Sequence, residues 1–369
     1  MHQLEAEIAR ADAALDAGNA VEAAELAQST LALSAKKHDA LAQAKSLACL
    51  AKCDRVLSRF RRSHYASKRA AELFAVTGDV AGQAGALGTL AHAASVLGHN
   101  EEAVEAGLLG IQLAEAVGPN RLVAVAKIQL GVAYFFGGSY ERAHAALDDA
   151  IYLAKTCKPV FSPFQARVTQ GCAEVTRGMV ERGLGQKPAG EERFREVLSV
   201  GSALLENGDA DAIASGVRVS ARALWCLVSA TGHIWSGELE RADSELTNAA
   251  DWIRRFGIVT SLDALSELVR AERACAVANW EAAEQHSRSA VELATAREHE
   301  QFALLGLMTT GRILEAQGKY SDALSVARAL NARLHKIRTE GLDARTSAAS
   351  RATHVPGAWS TVDSPSTFS

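Results

Sequence analysis

The sequence contains few of the residues that interrupt helices or favour other secondary structure, and this limits the possible folds. Only 6 of its 369 residues are proline, and a proline inside a helix costs about 3 kcal/mol. Aromatic residues make up only 5 % of the chain, whereas hydrophobic residues as a whole reach 48 % and alanine is abundant. The chain can therefore bury a core, and the composition favours long helices.

Three further absences limit the function. No run of about 18 apolar residues occurs, so we expect no membrane-spanning segment. The net charge is −4, and no overall positive field indicates a nucleic-acid partner. No CxxC pair occurs among the six cysteines. We interpret Cys49 and Cys53, four residues apart, as buried thiols and not as a metal or redox pair, and we expect a cytoplasmic protein.

A repeated turn organises the chain. The stretch that starts at Gly137 reads GGSYERAHAALDDAIYLAK, and similar turns recur at intervals of about 40 residues, with one slip of 19. A small residue stands seven positions before most turns and another five positions after them. The turn positions are Gly18, Ser58, Gly98, Gly138, Gly178, Gly237, Ala278 and Gly318.

The period has a simple physical explanation. Two antiparallel helices of roughly 15 to 18 residues and a tight turn fill about 40 positions, and only Gly, Ala or Ser fits where two backbones approach closely. A single hairpin cannot bury its apolar stripe, whereas stacked hairpins can. We therefore predict an all-α fold, an α-solenoid of about eight hairpins over residues 1–338.

The fourth unit resembles the tetratricopeptide repeat (TPR) family. The resemblance implies a right-handed solenoid whose first helices line a concave groove that binds a protein or a peptide. The last unit repeats the pattern at Gly311, Tyr320 and Ala323. The residues that carry the signature are Leu130, Gly131, Tyr134, Tyr140, Ala143, Leu147 and Ala150.

The C-terminal part extends beyond the repeats. Leu330, Leu334 and Ile337 begin a weak heptad that continues to Ala348, so we predict an exit helix at 339–352, through which a homodimer could form. Residues 353–369, rich in Ser, Thr and Pro, should be a disordered tail. This layout resembles the N-terminal sensor region of bacterial GGDEF diguanylate cyclases. The tail lacks the opening of such a catalytic domain, so we expect that domain to be absent, through truncation or a frameshift.

The TPR resemblance also yields candidate binding residues. Independently of the resemblance, the run Lys52–Arg69 is rich in basic residues, of which Arg59, Arg61 and Arg62 could dock an acidic partner or a phosphorylated segment, or form a solvated turn. Phe135 and Trp235 could serve the groove or simply pack against the superhelix or a dimer mate. Ile128, Leu227 and Met308 fall on the same helix faces. The predicted groove residues are Lys52, Arg55, His92, Val132, Phe135, Gln165, Trp235, Glu272 and Arg312.

We find no catalytic motif in the sequence. The glycine-rich stretch 183–194 contains a lysine, but Gly190 is followed by Glu191 where a phosphate-binding loop needs Lys-Ser/Thr. No histidine falls within metal-ligand spacing of a cysteine or carboxylate cluster that another helix would obviously complete. We therefore predict no catalytic, cofactor or metal site, and a non-catalytic binding module of a bacterial signalling protein. A stand-alone peptide-sensing regulator and an assembly scaffold are the alternatives.

Overall fold

The computed structural model describes residues 2–117, 121–136, 138–156, 171, 215–255 and 260–352. Over these ranges the chain is helical, with short turns and no strand, as the all-α prediction requires. The predicted turn at Gly178, the stretch 183–194 and the tail 353–369 lie outside the described residues.

The described residues form 14 helices, which we number in chain order. The helices are α1 (His2–Asp16), α2 (Ala20–Lys36), α3 (Ala40–Val56), α4 (Phe60–Thr77), α5 (Val80–Val96), α6 (Asn100–Val117), α7 (Arg121–Phe136), α8 (Tyr140–Thr156), α9 (Ser215–Trp235), α10 (Leu239–Arg254), α11 (Ser261–Ala276), α12 (Trp280–Ala296), α13 (Glu300–Ala316) and α14 (Tyr320–Ala352).

The turns within the hairpins share one backbone conformation. Every turn position that the sequence predicts within the described residues has a positive φ, from 55° at Ser58 and Ala278 to 93° at Gly18. The residue after it donates its N–H back to a carbonyl five positions earlier, as from His99 to Ala94 at 2.8 Å. This is the Schellman pattern that ends a helix on a left-handed residue. The predicted turns are confirmed.

The turns between hairpins have the same conformation, which the 40-residue period did not predict. His38, Gly78 and Glu298 also have positive φ, so the left-handed residue recurs about every 20 residues along each half of the chain. The next helix then begins within two residues. Asp39 and Asp79 cap α3 and α5 by accepting the N–H groups of Ala42 and Gly82, at 2.9 and 2.8 Å.

The small residues beside the turns lie where helices touch. Ala91 and Ala103 are fully buried. A Cβ on Gly131 would lie 2.7 Å from Cγ of Leu147, closer than carbon atoms approach. Where the pattern has Ser63 instead of alanine, its hydroxyl donates to the Ala51 carbonyl at 2.8 Å, so the polar group is satisfied inside the hairpin.

Successive first helices pack on one another and set the curvature. Helix α5 contacts both α3 and α7, and α11 contacts both α9 and α13. Each second helix packs between its own first helix and the next one, as α4 does between α3 and α5. One core cluster joins α3 to α6 around Phe74 and Leu87, and another joins α9 to α13 around Leu268. The first helices therefore lie on the concave side.

The solenoid coils far enough to bring its N-terminal and C-terminal halves into contact, and we call this interface the cross-turn contact. It joins the tips of the second and third hairpins to the starts of α11 and α13 and to α14. The backbone N–H of Ser261 donates to Oγ of Ser58 at 3.0 Å, and Arg61 pairs with Glu298 at 2.6 Å. Gln301 donates to the carbonyl of Ser95. The stacked hairpins thus close on themselves.

Two other sequence predictions can be compared with the described residues. Cys49 and Cys53 are buried and unbridged, as predicted. None of the described helices combines the length and apolar character needed to cross a bilayer. Helix α14 continues from the last repeat to Ala352 without a break, and the boundary at residue 339 stays a prediction.

We predict that Ala278→Gly stabilises the protein by about 0.5–1 kcal/mol. Alanine in the left-handed region is strained by roughly 1–2 kcal/mol, and the extra freedom of glycine in the unfolded chain offsets part of the gain. Thermal unfolding should show a higher Tm for Ala278→Gly and a lower one for the reverse change, Gly78→Ala, at a site with open space. A lower Tm for Ala278→Gly would contradict the turn assignment.

We predict that Gly98→Ala destabilises the protein more than Gly78→Ala, by about 1 kcal/mol or more. Both glycines have left-handed backbones, but a Cβ on Gly98 would lie 2.8 Å from Ile337, whereas Gly78 has nothing within 4 Å. Hydrogen exchange should show faster amides in α14 for the Gly98 variant alone. Equal effects of the two variants would mean that α14 does not rest on this turn.

Candidate functional site

The concave surface of α3, α5 and α7 carries a polar row in an otherwise apolar solenoid. It consists of Arg55, His92 and Gln129, each partly buried, with Lys52 and Val132 beside them on the same faces. Successive members are 37 residues apart, slightly less than one repeat, so neighbouring first helices place them side by side. We call these three residues the concave row.

The guanidinium of Arg55 is a partly buried cation. Burial lowers the pKa of its guanidinium, and a nearby thiol, Cys53, only partly opposes this. No described carboxylate lies within ion-pair distance of Arg55, although acidic groups pair with most other arginines of the first two hairpins. A desolvated charge without a counter-ion is costly, so this position favours an anion from outside the chain.

His92 and Gln129 complete the row. Burial, reinforced by the nearby Arg55 and His299 and opposed by the amide of Gln129, lowers the pKa of His92 to about 3. The imidazole is therefore neutral at physiological pH. Oε1 of Gln129 is buried and makes no hydrogen bond of good geometry, so the row holds an acceptor on α7 as well as a cation on α3.

The cross-turn contact closes one end of the concave row. Phe60 stands edge-on to His299, with ring centroids 5.6 Å apart, and lies 6.3 Å from the ring of His92. His299 stacks on Phe302 at 3.7 Å, and burial lowers its pKa to about 3. An aromatic wall thus separates the row from the last hairpins.

The predicted groove residues divide between two regions. Lys52, Arg55, His92 and Val132 lie together on α3, α5 and α7. Phe135 is also on α7, but its side chain lies outside the described residues, and Gln165 lies outside them entirely. These positions agree with the predicted groove, and their role in binding stays a prediction.

The other predicted groove residues lie in the C-terminal half and do not extend the row. Glu272 is buried, 3 % exposed, and forms an ion pair with Arg312, so this pair already satisfies its own charges. Trp235 packs against the core that joins α9 to α13. Leu227 and Ile128 are buried core residues, and the prediction that they face the groove is wrong because adjacent helices cover them.

The predicted basic patch is engaged in ion pairs. Arg59 and Arg62 stand 3.6 and 3.2 Å from the buried carboxylate of Asp54, and Arg61 pairs with Glu298 across the two halves. Burial raises the pKa of Asp54, while the two arginines oppose the rise. These contacts give the arginines a structural role, and docking of an acidic partner there stays a prediction.

Sequence reasoning did not find Gln129 or His299. Gln129 could have been found by stepping 37 residues from His92, since the same step links Arg55 to His92. His299 gave no such signal, because it reaches the row only through the coiling of the solenoid.

Comparisons with known proteins support the architecture. No protein-family model and no curated protein matches the sequence. A solved structure of a Rap protein complexed with Competence and Sporulation Factor is similar, with a TM-score of 0.60 and 11 % sequence identity. The match covers 92 % of this chain and 99 % of that one. At this identity the likeness concerns the fold alone, and the fold is a TPR-like α-solenoid.

We predict that acid destabilises the protein through His92 and His299. Both have pKa values of about 3 when folded, against an ordinary 6.5. As the pH falls below 6.5, these histidines therefore bind protons in the unfolded chain but not in the folded chain. The free energy of unfolding decreases until about pH 3. Each histidine contributes up to about 1.4 kcal/mol per pH unit.

His299→Asn provides the test of this pH dependence. Asparagine can keep the cap that His299 gives to the N–H of Phe302 while removing one titrating group. Urea unfolding between pH 6.5 and 4.5 should show a slope lower by about one proton in the variant. An unchanged slope would mean that His299 is not held neutral in the folded protein.

Proposed function

We propose that this chain is a non-catalytic binding protein that holds a peptide, or an extended segment of a protein, on the concave side of α3, α5 and α7. The observation that carries the proposal is Arg55, a desolvated guanidinium with no counter-ion among the described residues. The fold supports it, because a TPR-like solenoid presents a long curved surface suited to extended ligands. The similar Rap structure was solved with a bound factor.

The chemistry of the concave row defines the ligand more closely. A carboxylate, from an acidic side chain or a peptide C-terminus, would supply the missing anion to Arg55 through charge-assisted hydrogen bonds. A peptide N–H could then donate to Oε1 of Gln129, which lacks a donor. An extended peptide offers both groups, and Val132 gives apolar contact beside Gln129 on α7.

Absence of catalysis is part of the proposal. His92 is held neutral with a pKa of about 3, so it is a weak base at physiological pH. Arg55 and Gln129 provide a fixed charge and an amide, which recognise groups and do not transfer protons. The row is therefore better suited to binding than to general acid–base chemistry.

Signal output through α14 is a second element of the proposal. Ile337 of α14 packs against Gly98, at the end of the same helix, α5, that carries His92. A ligand that shifts α5 would alter the support of α14, and through it any domain or dimer mate attached to the exit helix. A cytoplasmic bacterial signalling role and the relation to GGDEF cyclase sensors remain predictions from sequence resemblance.

We predict that Arg55→Gln weakens ligand binding about 10- to 100-fold and does not lower stability. A charge-assisted hydrogen bond contributes about 1.5–3 kcal/mol to binding. Removing a desolvated charge that has no partner also removes the free-energy cost of burying it in the ligand-free protein. The probes are peptides selected on the full-length protein from a random display library, measured by calorimetry with free and amidated C-termini. Arg69→Gln, which removes an exposed arginine on the second helix α4, is the matched control.

The two measurements together separate binding from structure. A lower Tm with unchanged affinity would make Arg55 a structural residue and overturn the proposal. Selected peptides that lack acidic groups, tolerate C-terminal amidation and bind the variant equally would also overturn it.

A further inference from the structure

A cluster of metal-ligand groups lies on the second and third hairpins, apart from the concave row. His64 is on α4, His99 is the last residue of the turn between α5 and α6, and Glu102 is in the first turn of α6. Nε2 of His64 lies 2.8 Å from Oε2 of Glu102, and Nδ1 of His99 lies 3.7 Å from the same oxygen. The two rings stand edge to face, with centroids 5.5 Å apart.

The three donor atoms converge on one point. All lie within 4.8 Å of one another, and tetrahedral ligands on zinc, at bond lengths of 2.0–2.1 Å, stand about 3.3 Å apart. Reaching that spacing requires His64 to move out by roughly half an ångström and His99 to move in by about as much. Two imidazoles and one carboxylate are also the ligand set of open zinc sites.

Two features of the cluster are unexplained by the fold alone. Nδ1 of His99 is buried and makes no hydrogen bond, an unusual state for a ring nitrogen inside a protein. The side chains of His64, His99 and Glu102 are 18 %, 23 % and 26 % exposed, so an ion can reach them from solvent. An ion placed between them would satisfy the free nitrogen.

The carboxylate is prepared to bind a cation. Both carboxylate oxygens of Glu102 already face nitrogen atoms, Oε2 those of His64 and His99 and Oε1 that of Lys68. Lys68 contacts the other oxygen, Oε1, at 2.8 Å, and its side chain is 46 % exposed. Its flexible stem allows it to leave for solvent when an ion takes its place.

We propose that His64, His99 and Glu102 bind a divalent transition-metal ion of the zinc class. Water or a group from a partner would complete the coordination. Imidazole and carboxylate donors suit Zn²⁺, Ni²⁺ and Co²⁺ better than Mg²⁺ or Ca²⁺, which prefer sites built from oxygen. The ion joins α4 to the start of α6 and so ties the second hairpin to the third.

The test is calorimetric titration of the full-length protein with ZnCl₂, after chelator treatment and removal of any affinity tag. We expect one site that is lost, or weakened at least tenfold, in both His64→Gln and His99→Gln. Co²⁺ should give visible absorption bands typical of low coordination number in the wild type only. Zinc should raise the Tm of the wild type and of neither variant.

Two further variants make the outcome specific. Lys68→Gln removes the competing cation and should strengthen zinc binding. His286→Gln is the matched control, because His286 also faces a carboxylate, that of Glu267 at 2.7 Å, but belongs to no described three-ligand cluster. It should bind zinc like the wild type.

Three results would overturn the proposal. One is an absence of zinc binding in both the wild type and Lys68→Gln. Another is equal binding by the wild type and His99→Gln, which would place the ion elsewhere. The third is loss of binding in His286→Gln with retention in His64→Gln.

Discussion

One backbone constraint underlies the whole structure: every described turn ends its helix on a left-handed residue, and the next helix starts almost at once. The Schellman hydrogen bonds consume the last carbonyls of one helix, while Asp39, Asp79 or Asn279 caps the first N–H groups of the next. Helix length, helix direction and rotation from one hairpin to the next are therefore set at the turn. With helices of 15 to 18 residues in the first four hairpins, this repetition produces the curved solenoid.

The curvature brings together residues that are far apart in sequence. Neighbours one repeat apart meet on the concave side, as Arg55, His92 and Gln129 do, and on the second helices and turns, as His64, His99 and Glu102 do. The coiling of the solenoid then brings the second and third hairpins into contact with the last two, where the ring of Phe60 contacts that of His299. The α3–α6 segment thus carries the metal-ligand cluster, two of the three residues of the concave row and one side of the cross-turn contact.

The sequence predicted the hairpins and not their coiling, for a physical reason. Gly98 and Gly138 predict the turns at their positions, and the fully buried Ala91 and Ala103 lie at close contacts between helices. The turns at His38 and Glu298 are of the same kind, but no glycine marks them in the sequence. The 20-residue half-period was therefore not predicted. Contacts such as Ser58 with Ser261 depend on small rotations summed over several hairpins, which no local pattern records. For the same reason the sequence placed Arg55 and His92 of the concave row but missed His299.

The two candidate sites are electrostatic opposites built on the same hairpins. Arg55 is a cation without a counter-ion among the residues that the structure describes, whereas Glu102 is an anion surrounded by His64, His99 and Lys68. Arg55 deviates from the rule that buried charges are matched within the fold, and the sign of its charge suits an anion from outside on the concave side, whereas Glu102 lies among imidazoles that would share a cation with it. Helix α5 carries His92 on one side and leads into His99 at its end. A ligand at either site therefore acts on the same helix, and that helix supports α14 through Gly98.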